Sequence, residues 1–236
     1  MTSSNLSLEE LEDSIWSETV IATVTPYVQS IERQMEPQIQ LVLERIDALV
    51  AGGELITDQD LEGVVAGLND SLADALMLEM EQLQAPVREL AARQGEVVQP
   101  APMLTGSTLM REASMDKTPM AEWFKRRSPS KWMGGVMNAL RKEIDAGWER
   151  QRVAAEASVK RLVGIAAETG LFSSANQNLL RNLTGQELVL VVTIDEQTCE
   201  ICKPLQGTLV DSSVLAPPLH PQCRCTVKPR RATQST

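Results

Sequence analysis

Residues 24–49 read VTPYVQSIERQMEPQIQLVLERIDAL. Val24, Val28, Ile31, Met35, Ile39, Val42, Ile46 and Leu49 recur at spacings of three and four, which places them on one stripe of a helix. The pattern predicts helix from residue 8 to about 50. Pro26 and Pro37 each remove a backbone donor and crowd the preceding turn, so a break or kink is expected at one or both. Ala51-Gly52-Gly53 is a stop signal. Thr57-Asp58-Gln59-Asp60 then offers a new start, with Thr57 as cap and the acids at the positive end of the helix dipole. Leu61, Val65, Leu68, Leu72, Leu76, Met80, Leu83, Val87 and Leu90 continue as a second stripe. Two amphipathic helices joined by a short glycine turn make an antiparallel hairpin, with arms of roughly 45 Å. Its stripes serve as core, or as a seam for a partner helix or a second copy of the chain, which would make a homo-oligomer.

Beyond the hairpin the periodicity lapses. The stretch 96–118, with Pro100, Pro102 and Gly106, reads as a linker, either mobile or laid along a partner. Helical pattern resumes over 119–185. Trp132, Val136, Leu140, Ile144 and Trp148 follow at four-residue steps, Gly170 reads as a C-terminal cap, and 174–183 reads as one more short helix. From 187 to 195, ELVLVVTID is rich in β-branched residues and predicts a strand. Thr208-Leu209-Val210 and the stretch CRCTVKP predict two more. The expected fold is therefore mainly α with a small α+β C-terminal knob. Its parts are an acidic helical hairpin (1–95), a linker (96–118), a helical domain with a basic tract (119–185), a β-rich Cys/His module (186–228) and a polar tail (229–236).

The totals narrow the class. Aromatic residues make up only 3% of the 236, so the core must be built from aliphatic side chains, which favours helix-on-helix packing. The net charge of -10 is uneven. Residues 1–96 hold 4 basic against 19 acidic groups, and residues 97–236 hold 18 against 13. An acidic front and a mildly basic back imply different partners, or simply a solvated acidic face. No apolar run is long enough to span a membrane, and the acidic N-terminus lacks the order of a signal peptide. Synthesis in a reducing cytoplasm is expected, and there clustered cysteines bind metal more often than they form disulfides.

All four cysteines, Cys199, Cys202, Cys223 and Cys225, and the one histidine, His220, lie between residues 198 and 225. They form a C-x-x-C, then an H-x-x-C and a C-x-C after seventeen intervening residues. Such knuckles can surround a tetrahedral zinc ion, and a structural metal would stabilise a module with little apolar area of its own. The predicted set is Cys199, Cys202, His220 and one of Cys223 or Cys225. Disulfides remain the alternative. A zinc deaminase would need H-x-E before the C-x-x-C, and a thioredoxin-like site would need a βαβ unit; neither is present. Asp195 is read as accepting amides of the C-x-x-C turn, and Gly207 as taking a positive φ.

The run TIDEQTCEICKPLQG followed by PPLHPQCRC resembles the C-terminal signature of the phage Mu F-like, or SPP1-type, head morphogenesis proteins. The matching positions are Asp195, Thr198, Cys199, Cys202, Leu205, Gly207, Pro217, His220, Pro221, Cys223, Arg224 and Cys225. The resemblance implies a minor head protein of a tailed bacteriophage. Such a protein sits in the virion at the portal vertex, contacts the portal and other head proteins, is needed for head assembly, and in some cases leaves with the DNA. No enzymatic role is implied. Two other classes compete. A DNA-binding module would use the basic tract, with Lys125, Arg126, Arg127 and Lys131 as candidate phosphate contacts. A metal-dependent hydrolase would need an open metal position and a general base, for which Asp195 and Glu200 are the nearby acids.

Overall fold

A computed structural model describes residues 7–53, 55–94, 100–115, 118–125, 131–193, 200–210 and 217–230, the side chains of Met115 and Lys131 excepted. Helix α1 (Leu8–Ala51) opens on a capping box in which Ser7 accepts from the Glu10 amide and Glu10 accepts from the Ser7 amide. It runs unbroken through Pro26 and Pro37. Burial of Val24, Ile31, Met35 and Ile39 on either side of the two prolines outweighs the lost backbone bonds. At 44 residues the helix is about 66 Å long, the length that a run from residue 8 to about 50 requires, so the figure of roughly 45 Å was too short. Gly53, at φ 72°, makes the turn. Helix α2 (Asp58–Gln94) starts where Thr57 Oγ1 accepts from the Asp60 amide at 3.2 Å, and Asp60 accepts from the Thr57 amide at 2.7 Å. All nine residues of its predicted stripe are buried against α1 and the rest of the core.

Residues 100–115 lie along the chain's own bundle. Gln84 accepts from the Leu104 amide at 2.7 Å and donates to its carbonyl at 2.8 Å. The short helix α3 (Gly106–Glu112) buries Leu109 and Met110, and Gly106 comes so close to α2 that a Cβ there would sit 2.6 Å from the Met77 carbonyl oxygen. A two-residue ladder joins β1 (Ser114–Met115) to β2 (Thr118–Pro119), and the single turn α4 (Met120–Trp123) follows.

Helices α5 (Lys131–Asp145) and α6 (Trp148–Asn182) are separated at Gly147, whose φ of 103° ends the pattern that the four-residue steps had carried through to Trp148. Gly170 is not a cap. It lies inside α6, where a Cβ would meet Leu76 and Met120 methyl groups at 3.0 Å, so it permits close packing on α2. Stretch 174–182 continues the same helix. One hydrophobic core joins α1, α2 and α6 with α3, α4 and α5 laid against them.

The knob is a small antiparallel sheet. Strand β3 (Leu188–Val191) pairs with β4 (Thr226–Pro229), Leu190 opposite Val227. On its other edge β3 takes the bridge Val189–Leu209, so all three predicted strand segments are present, the middle one as a single bridge. Among the described residues no helix is long and apolar enough to cross a membrane.

Candidate metal centre

The chain returns to the sheet twice, and each return delivers ligands. After β3, a turn at Cys202 leads into a single 3-10 turn, Lys203–Leu205, in which the Leu205 amide bonds the Cys202 carbonyl at 2.9 Å. Gly207, at φ 73°, closes this turn as expected, and its amide bonds the Leu190 carbonyl. The second return is the turn His220-Pro221-Gln222-Cys223. The Cys223 amide bonds the His220 carbonyl at 3.1 Å, Pro221 occupies the second position, and Gln222 has φ 60°. This is the pattern of a type II turn, and it folds His220 and Cys223 back onto one point.

At that point Cys202 Sγ lies 3.1 Å from His220 Nε2 and 3.9 Å from Cys223 Sγ. Atoms bound to one tetrahedral zinc stand roughly 3.5–3.8 Å apart. His220 Nδ1 is 2.7 Å from the Pro221 carbonyl oxygen. A ring nitrogen facing a carbonyl must donate, which leaves Nε2 as the lone-pair nitrogen turned toward the thiols. Cys202, His220 and Cys223 can therefore bind a metal ion together.

The electrostatics favour a thiolate at this point. The Cys225 thiol donates to Cys223 and, with backbone amides at Leu219 and Cys225 and the nearby His220, holds it down at about 5 against the opposing effect of burial. Cys225 itself is pushed up, first by that hydrogen bond and then by burial. Metal ligands must be deprotonated, so Cys223 is the better prepared of the two. Cys202, Cys223 and Cys225 are all buried. Leu190, Val192, Leu205 and Leu219 pack around them as a second small core.

Of the other expected site residues, Cys199, Asp195 and Thr198 lie outside the described residues, as do Arg126 and Arg127. Pro217 is buried beside the module, and Leu205 packs into it. Lys125 pairs with Glu122 on the surface, and Lys131 begins α5. Glu200 is held by the Lys203 ammonium at 2.6 Å in an exposed side-chain pair, where a bond to the local backbone was expected.

Sequence reasoning missed the residues that dock the module. Helix α6 presents Thr169, whose hydroxyl accepts from the Gln222 amide at 3.0 Å, and Asn176, whose amide group donates to the Cys225 carbonyl at 3.0 Å. From α1, Trp16 Nε1 donates to the Val227 carbonyl at 3.0 Å, and Asp13 accepts from Gln206 at 2.5 Å and from Lys228. The available signal was a set of polar residues at core positions. Asp13 and Trp16 extend the stripe of Val20 and Val24 backwards, and the run SSANQN at 173–178 interrupts an otherwise apolar helix. Comparison with protein-family models, with curated proteins and with solved structures finds no match to this chain.

Proposed function

We propose that this chain is a minor head protein of a tailed bacteriophage, attached at the portal vertex, with a C-terminal knob locked by one structural zinc ion. The observation that carries the reading is the convergence of the signature's own residues. Cys202, His220 and Cys223, spaced as in the head morphogenesis signature, meet within 4.8 Å of one another. Their second-sphere partners are the Pro221 carbonyl on His220, and amides and a thiol on Cys223. Three thiols and an imidazole suit zinc over magnesium or calcium, which prefer oxygen. Cys199 is the expected fourth ligand. With four protein ligands no position is left for water, so the ion holds the fold and does no chemistry. The knob sits against a three-helix bundle whose surface is strongly acidic in its first two helices, a shape suited to docking on a larger assembly.

The test is assembly. The protein is expected to co-purify with the portal ring from infected cells, and not with free major capsid protein. Deleting its reading frame is expected to yield defective heads. Heads of normal composition and full infectivity after deletion would overturn the reading.

A further inference from the structure

One chain of hydroxyls runs from the first helix to the backbone between two of the clustered cysteines. Thr193, just after β3, has its Oγ1 3.0 Å from the Arg224 carbonyl oxygen, which can only accept. A hydroxyl has one proton, so Thr193 spends its proton there and must accept from a neighbouring hydroxyl. That neighbour is Ser17 Oγ, 2.6 Å away and buried in α1. The order is therefore Ser17 to Thr193 to the carbonyl of Arg224.

Arg224 separates Cys223 from Cys225. Its carbonyl belongs to the peptide unit leading into Cys225, and the next carbonyl, that of Cys225, is held from the other side by Asn176 of α6. Two successive peptide units of the ligand strand are thus fixed from two different helices. Both units flank Cys225, so they set the direction of its side chain, whose thiol is in hydrogen-bond contact with Cys223. Outer partners of this kind orient metal ligands, and removing one typically weakens binding by about 10–100-fold.

We infer that Ser17 and Thr193 are positioning residues of the metal centre, so that metal binding and the docking of the first turns of α1 are coupled. The inference rests on the metal reading of the Cys/His cluster. Coupling is reciprocal: whatever factor α1 contributes to metal affinity, the metal returns to the docking of α1. Docking here also involves Trp16 and Asp13, which grip β4 and Gln206 on the same face.

The experiment uses the full chain, loaded with cobalt or zinc and titrated against a chromophoric chelator, with hydrogen exchange read over residues 8–20. Thr193→Val removes the donor to Arg224 and strands Ser17. Ser17→Ala removes the Ser17 hydroxyl from the chain. Both are expected to weaken metal binding by about tenfold or more, while Thr193→Ser, which restores the hydroxyl, stays within about threefold of the natural chain. In the natural chain, metal is expected to slow exchange across the first turns of α1 by a comparable factor, and in Thr193→Val by much less. Ser14→Ala, on the exposed side of the same helix, controls for general damage and should match the natural chain. Metal held equally tightly by Thr193→Val and Ser17→Ala, or exchange in α1 indifferent to loading, would overturn the coupling and leave the metal site standing. A natural chain that takes up neither metal would overturn both.

Discussion

The Trp16 indole donates to the Val227 carbonyl across 211 positions of sequence, fastening the start of α1 to the last strand. Trp16 is buried, so this carbonyl has no water to replace the bond. The knob is consequently not an appendage on a separate hairpin. Its sheet edge is closed by the first helix, which also protects β4 from pairing with another chain.

Trp16→Phe keeps most of the ring and removes the donor. Stranding a buried carbonyl costs about 1–3 kcal/mol. Chemical denaturation of the variant is expected to show a loss in that range with an unchanged slope, and an unchanged midpoint would mean that the bond contributes nothing.

Gly106→Ala tests the path of residues 100–115 over α2. The new methyl would lie 2.6 Å from the Met77 carbonyl oxygen and 2.7 Å from its Cβ, and backbone cannot swing aside. A loss of about 1–3 kcal/mol is expected, as for other overpacked sites. Thermal melts in which the alanine variant equals or exceeds the natural chain would show that this segment does not pack there.

The hairpin was legible because its stripes are long, strictly periodic and flanked by punctuation, Gly53 and Thr57 in particular. The prolines misled because local propensity, about 3 kcal/mol at each, competes with burial spread along the whole helix. Gly170 misled for a related reason: a glycine at a crossing of helices and a glycine at a helix end look alike until the neighbour is known. The Cys/His knuckles were readable from spacing, since local turns set which side chains converge. Ser17, Thr169 and Asn176 were not, because their partners lie 49 residues or more away, beyond any local pattern.

Glu168, half-buried on α6, carries a pH dependence. Burial raises its carboxyl above the ordinary range, Arg224 opposes this, Glu32 adds to it, and a hydrogen bond from Gln222 opposes it. An acid whose folded value is raised binds its proton more tightly folded than unfolded. Its contribution is present below the unfolded value near 4.5 and is lost as pH rises through the raised folded value. Glu168→Gln is therefore expected to stabilise the protein more at pH 7 than at pH 4. Equal effects at the two pH values, measured by denaturant titration, would show that Glu168 is ionised in the fold without penalty.

The metal itself is the central claim, and its count decides it. Native mass spectrometry of the full chain, purified without chelator and without reductant, is expected to show one zinc per chain. His220→Ala and Cys202→Ser should each lose it, with the knob loosened and the three-helix core still folded. Chelator should reproduce that loosening, and reductant should not. A chain that carries no zinc, is two or four mass units lighter through disulfides, and is unaffected by His220→Ala would contradict the account.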